Sequence, residues 1–359
     1  MRLISLWIQN LRILEQVEIS TDADLVVFSG LNGSGKTSLL EAIHLIGTGR
    51  SFRNHQIGDV VRQGCAALQV RAEVIGAQGG KSVAGIEKNR GGTTRFRING
   101  EDVRTTSTLA YHLPMVAVTP DSQRLLTDGA QIRRKLLDWL MFHVEPEYNQ
   151  VHQRYRRALR QRNAALQRNV AGSRQVWNEE LGTTGQNLHA LRAGQLHGAL
   201  EMLSKVLAEL LDIPVSVEYQ PGWKTEADLT QLLARTWEQD RIRGYTGVGP
   251  QRADLRFTVS GSNARHVLSR GESKLLSVAI LIGLSRLLAE KTGRKPLLLI
   301  DELASELDQQ NRARFFTTLK ATGSQIFVTT VSDELVSAAD WKRILYYRVI
   351  RGKLQTVLK

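Results

Sequence analysis

Residues 30–37 read Gly-Leu-Asn-Gly-Ser-Gly-Lys-Thr, which fits GxxxxGK(S/T) and constrains the fold more than any other stretch of the chain. Such a loop works only between a strand and a helix, and the flanking residues supply both. Leu25-Val26-Val27-Phe28 is an apolar run of strand length. Downstream, Ser38 to Ile46 keeps its apolar residues on one helical face and stops at Gly47. Glycines in this register let backbone N–H groups close on phosphate oxygens, and the helix start adds a favourable dipole. The expected nucleotide-binding residues are therefore Gly30, Leu31, Asn32, Gly33, Ser34, Gly35, Lys36, Thr37 and Ser38. Lys36 is placed to neutralise the β- and γ-phosphates, and the Thr37 hydroxyl to ligate Mg2+.

A second cluster lies far downstream. Pro296-Leu297-Leu298-Leu299-Ile300 is a continuous apolar run ending in Asp301-Glu302. It suits a strand buried on both faces of a parallel sheet, with its carboxylates at the C-terminal edge. There Asp301 is expected to hold Mg2+ through water and Glu302 to polarise the attacking water, completing a catalytic set with Lys36. Between the clusters, Leu268-Ser269-Arg270-Gly271-Glu272-Ser273 precedes a helical pattern from Lys274 to Lys291. Ser269 can cap that helix, whose first N–H groups again favour a phosphate. Taken alone, this stretch reads equally as an ordinary cap and turn.

Ser269-Arg270-Gly271-Glu272 resembles the signature loop of ABC-type ATPases, with arginine where transporters usually have glycine. Ala304-Ser305-Glu306-Leu307-Asp308 is similar to their D-loop. Further matches are Leu3 to Arg12, Arg50-Ser51-Phe52-Arg53, Arg133 to Trp139, Gln161 to Leu166 and Gly249-Pro250-Gln251-Arg252-Ala253-Asp254. Over nearly its whole length the chain resembles the SMC-related branch of the ABC ATPases, and within it a family of bacterial recombination mediators. The resemblance implies an α/β fold: an ABC-type ATPase head, built of a β-rich lobe and a P-loop core, with an inserted compact helical domain. It also implies a weak, DNA-stimulated ATPase that dimerises with ATP. Ser269, Arg270, Gly271, Glu272 and Asp308 of one subunit would complete the site of the other. Expected partners are duplex and gapped DNA at single-strand/double-strand junctions, with RecR and RecO helping to load RecA in DNA repair, replication restart and the SOS response. Two positions depart from the pattern. Transporters carry a histidine after the strand that follows the D-loop, whereas Gln325 to Thr330 ends in threonine, which implies slow hydrolysis. A Q-loop is not evident, and Gln123 is a candidate only by its place after Val116-Ala117-Val118.

Composition agrees with a polyanionic partner: 48 Lys and Arg against 35 Asp and Glu leave a formal charge of +13. The clearest basic run holds Arg154, Arg156, Arg157, Arg160, Arg162 and Arg168 within fifteen residues that contain no acid. As a helix it displays two stripes, a track for DNA phosphates or else a solvated face. Arg133, Arg134 and Lys135 form a weaker second patch, and Tyr155 alone makes no stacking platform. The single cysteine, Cys65, excludes an intramolecular disulfide and fits a reducing cytoplasm. No run approaches the ~18 apolar residues of a membrane span, and the opening residues lack an apolar signal core.

The periodicity divides the chain into a head, 1–121 with 244–359, and a helical, DNA-contacting, lid-like second domain, 122–243. Arg95-Phe96-Arg97-Ile98 followed by Asn99-Gly100 predicts a hairpin on a type I′ turn. Three rival classes stay open: an ABC-type subunit of another assembly, a P-loop kinase, and a scaffold that binds ATP without turnover. The kinase leaves Ser269 to Glu272 and Asp308 without a role.

Overall fold

Continuous apolar runs and alternating runs sort the strands into two kinds of sheet. The computed structural model describes residues 1–53, 59–168, 174–336 and 341–357. They form two units, one of residues 1–122 with 274–359 and one of residues 123–273.

The first unit opens with β1 (Arg2–Leu11), β2 (Leu14–Ser20), β3 (Leu25–Ser29) and α1 (Lys36–Thr48). Then come β4 (Ala67–Ile75), β5 (Lys81–Asn89), β6 (Thr94–Ile98), β7 (Glu101–Val103), α2 (Thr106–His112) and β8 (Met115–Val118). The second unit carries α3 (Arg124–Thr127), α4 (Ala130–Val144), α5 (Tyr148–Arg168), α6 (Arg174–Leu210) and β9 (Val215–Gln220). It continues with α7 (Leu229–Arg235), α8 (Trp237–Arg243), β10 (Asp254–Val259), β11 (Ser262–Asn263) and α9 (Ala264–Val267). Helix α10 (Arg270–Thr292) spans the boundary. The chain ends with β12 (Leu297–Ile300), α11 (Gln309–Lys320), β13 (Ile326–Thr330), β14 (Ile344–Ile350) and β15 (Lys353–Val357).

In the first unit, β3, β12 and β13 are buried along their whole length, as strands covered on both faces must be. They sit inside a sheet of order β15-β14-β3-β13-β12-β8, parallel throughout except for the antiparallel β15. The other sheet, β2-β1-β4-β5-β6-β7, is antiparallel, and β4 alternates buried and outward residues. Its last hairpin turns on Asn99 at φ 53° and Gly100 at φ 88°, the two positive angles that a type I′ turn requires.

Helix α1 lies between the sheets. Leu39, Leu40, Ile43 and Ile46 share one core with Leu6, Ile8 and Val70 on one side and Val26, Phe28 and Phe327 on the other. Each such side chain contributes roughly 1.5–3 kcal/mol by leaving water. Packed on two flanks, α1 cannot tilt, and the direction in which its first turn points is fixed. The mixed α/β head expected from the sequence is this unit.

The second unit is mainly helical, with a small antiparallel sheet of order β11-β10-β9. The chain does not return to the head near residue 244, as periodicity suggested; it returns at Lys274. The reason is pairing: β10 hydrogen-bonds along β9, six residues against six, and so stays with the insertion. Among the described residues no helix is long and apolar enough to cross a membrane.

Candidate nucleotide site and basic surface

Strand β3 delivers the chain to Gly30, whose φ of 153° and lack of a side chain let the loop turn beside β14. A Cβ there would stand 2.4 Å from the Val349 carbonyl oxygen, so only glycine fits. Leu31, Asn32 and Gly33 are exposed, while Ser34, Gly35, Lys36 and Ser38 are buried. The turn between β14 and β15 supports the loop, with the Gly352 N–H donating to the Ser34 carbonyl at 2.8 Å. Gly35, at φ 112°, starts α1 without any side-chain cap. Among the described residues the buried Ser34 hydroxyl has no hydrogen-bond partner. A helix start left open in this way, beside a buried hydroxyl, is suited to receive an anion.

The two distant clusters meet here. Thr37 Oγ1 donates to Asp301 Oδ1 at 2.9 Å, joining residues 264 apart in sequence. This contact follows from the strand order, because β12 and β3 flank β13 and end at the same edge. The Asp301 N–H donates to the Val118 carbonyl at 2.8 Å, which fixes the start of the carboxylate's approach. Lys36 is buried and donates to the carbonyls of Gly30 and Leu31 at 2.9 and 3.0 Å. Its ammonium also pairs with Glu302 at 3.2 Å. Glu302 holds a left-handed backbone at φ 54°, a strained conformation for a residue with a side chain.

Sequence reading missed two contributors. Thr329, fully buried at the end of β13, donates to Asp301 Oδ1 at 2.7 Å and accepts the Glu302 N–H at 3.0 Å. Thr330, at the position read as a departure, turns away and donates to the Ser332 carbonyl. The other contributor is Arg53, whose positive charge acts on Asp301. Burial pushes the Asp301 carboxyl above the ordinary aspartate range; the hydrogen bonds from Thr329 and Thr37 oppose it, and the charge of Glu302 adds to it. A buried carboxylate paired with a threonine hydroxyl is a hard oxygen donor set and fits Mg2+, which would relieve that cost.

The other expected site residues divide between the units. Asp308 is in the first, exposed, and caps α11 by accepting the Asn311 N–H at 2.9 Å; that bond also holds its carboxyl below the usual aspartate range. Ser269 to Glu272 and Gln123 belong to the second. Gln123 is exposed at the end of the short turn after β8. At the start of α10 the Ser269 hydroxyl donates to Glu272 Oε2 at 2.7 Å, and the Ser269 N–H donates to the same oxygen at 2.8 Å. The Glu272 N–H returns a bond to Ser269 Oγ, closing a capping box. Arg270 and Gly271 are exposed.

The basic run forms α5, but its arginines are not equivalent. Arg156, Arg157, Arg160 and Arg168 are exposed, whereas Arg154 pairs with Glu180 of α6 at 3.1 Å. Arg162 is no phosphate contact. It is fully buried, donates to Asp240 at 2.8 Å and Asn178 at 2.8 Å, and ties α5 to α6 and α8. Arg133 is likewise structural, donating through two nitrogens to Asp254 at 2.7 and 3.0 Å. Arg134 is half-buried and donates to the Ala253 carbonyl at 2.8 Å. In each case the compensating group lies on a distant segment. Tyr155 is buried with its hydroxyl bonded to Gln251.

Comparison with known proteins covers nearly all of this geometry. The family described as RecF/RecN/SMC N terminal domain matches residues 2–351. The DNA replication and repair protein RecF of Thioalkalivibrio sulfidiphilus is 38% identical over 351 residues, 97% of each chain. That of Yersinia pestis is 38% identical over 358 residues, 99% of each. Among solved structures, the recombination mediator protein RecF-ATP in the RecFOR pathway superposes with a TM-score of 0.86 at 24% identity, covering 99% of this chain and 97% of that one. An SMC head bound to the C-winged helix domain of ScpA gives 0.62 at 16%, covering 99% and 98%. These two likenesses establish the fold.

Proposed function

This chain belongs to the RecF family, and from that premise we infer that it is an ATP-dependent DNA-binding protein of DNA repair, a slow ATPase whose nucleotide controls dimerisation. The observation that carries the reading is the Thr37–Asp301 contact at 2.9 Å, which brings the loop and the acidic strand to one edge of one sheet. ATP would lie along Gly30 to Ser38 with its terminal phosphates against Lys36. Thr37 and Asp301 would hold Mg2+, which supplies charge neutralisation on the phosphates. On binding, the phosphates compete for Lys36 and release Glu302, which becomes free to accept a proton from water. With threonine in place of the transporter histidine, turnover is slow.

Ser269 and Asp308 of a second copy would complete the cage, giving a two-fold dimer that hydrolysis loosens. The exposed arginines of α5 would hold DNA phosphates without reading sequence, so binding falls steeply with salt. By its family, this cytoplasmic protein would act on gapped DNA with RecR and RecO to load RecA. One alternative is a scaffold that binds ATP without turning it over, and the resting Lys36–Glu302 pair favours it.

Light scattering with ADP, ATP and a slowly hydrolysed analogue, followed by titration with duplex and gapped DNA, tests the switch. A dimer formed only with triphosphate, and binding DNA best in that state, is expected; a mass independent of nucleotide overturns it. Loss of phosphate release in Glu302→Gln separates the enzyme from the scaffold.

A further inference from the structure

Residues 244–252, between α8 and β10, run along α5 and are fastened to it at three levels. Gln167 donates to the Gly244 carbonyl at 3.2 Å. Asn163 Oδ1 accepts both the N–H and the hydroxyl of Thr246, at 2.9 and 2.7 Å. Tyr155 bonds to Gln251. Gly244 at φ 75° and Gly249 at φ 121° set the turns at either end. The loop is therefore an ordered ledge.

That ledge has a neighbour with a purpose. Residues 156, 160, 163 and 167 follow i, i+4, i+7, i+11 and share one stripe of a helix. Arg156 and Arg160, both exposed and without a carboxylate partner among the described residues, thus stand on the flank that carries the loop. Along α5 they are separated by about 6 Å. From the ledge one aromatic ring reaches solvent. Tyr245 is 46% exposed, and the guanidinium of the exposed Arg252 sits over it at 4.9 Å from the ring centroid. Thr246, the next residue, is buried, so the ring has a fixed root. A ring on a rigid support, cationic on one side and rooted in a loop bonded to the helical stripe that also carries Arg156 and Arg160, matches the requirements of a base-stacking platform.

We propose that Tyr245, backed by Arg252, seats an unpaired base of single-stranded nucleic acid whose backbone, or adjoining duplex, lies on Arg156 and Arg160. The stacking face accepts any base, since it reads a π-surface and no hydrogen-bond pattern. The proposal rests on the DNA-binding reading of α5 and adds to it a residue that distinguishes unpaired from paired strands.

The test uses the full chain with the slowly hydrolysed ATP analogue and fluorescence anisotropy on two labelled DNAs, a blunt duplex and the same duplex with a single-stranded tail. For Tyr245→Ala, tailed DNA should bind roughly 5- to 150-fold more weakly, the span of one lost stack, with blunt-duplex affinity unchanged. Tyr245→Phe keeps the ring and should bind both DNAs as the parent does. Equal weakening on both DNAs, or no change on either, in Tyr245→Ala overturns the seat. Arg156→Glu with Arg160→Glu tests the underlying reading separately: both DNAs should weaken together, and unchanged affinity removes DNA from α5. Matched thermal melting curves confirm that the half-exposed ring does not hold the fold.

Discussion

Two helix starts in this molecule, both read from the sequence as places for a phosphate, are built in opposite ways. At α1 the first turn begins on a glycine with no side-chain cap, beside a buried serine hydroxyl without a partner among the described residues. Leaving out a cap costs about 1 kcal/mol, and here it keeps N–H groups open for an anion. At α10 the chain closes its own helix start, with Ser269 and Glu272 satisfying each other. Glu272 supplies the negative charge that a phosphate would otherwise bring. The first start is prepared for its ligand before the ligand arrives. The second is stable without one, and a phosphate gains access to Ser269 only by displacing a carboxylate. If α10 acts in trans as proposed, such a competitor would keep its start closed in the monomer.

The largest effect is expected at α1. Lys36→Met removes the ammonium that would meet the phosphates and should weaken ATP binding at least about 100-fold by calorimetry; near-parental affinity would mean that the open helix start suffices. Ser269→Arg should leave nucleotide affinity unchanged and abolish the ATP-induced dimer in light scattering. A collapse of nucleotide affinity would instead place Ser269 in its own subunit's site. Thr329→Val deprives Asp301 and the Glu302 N–H of a partner and should cost about 1–3 kcal/mol, read as a lower urea midpoint for the head. The smallest effect is a contrast in pH. The Ser269 hydrogen bonds hold the Glu272 carboxyl below the ordinary glutamate range. Its contribution to stability is therefore full above the unfolded value and lost as pH falls through the depressed one. Asp301, raised by burial, has the opposite sign: its contribution is full at low pH and lost as pH rises through the raised value. Carboxyl NMR titration should place the two midpoints on opposite sides of their usual values.

The phosphate loop, the acidic strand and the Asn99-Gly100 hairpin were readable because each depends on chemistry within a few residues. Thr329 was not. Its role arises from β13 lying between β3 and β12, and strand order has no local signature. Arg162 was misread for a related reason: its carboxylate, Asp240, is 78 residues away. A local clue did exist, because Arg162 shares its helical face with Tyr155, Ala158 and Leu166, all buried. Counting acids within the run overlooked that face. The 244 boundary failed similarly, since the change of pattern there marks strands whose partner, β9, lies in the insertion.

The strand order also has a consequence for the birth of the protein. Strands β3 and β8 leave the ribosome early, yet between them belong β12 and β13, which are made more than 170 residues after β8. At about 5–20 residues per second, roughly 10–40 s separate the synthesis of residue 118 from that of residue 330. Through that interval the core around β3 and α1 lacks Leu297, Leu299, Phe327, Tyr347 and Val349, while the second unit, residues 123–273, emerges between the two segments of the head. The antiparallel sheet of the head and the whole insertion can thus pair within themselves before the parallel sheet, the last part of the fold to close, receives its central strands.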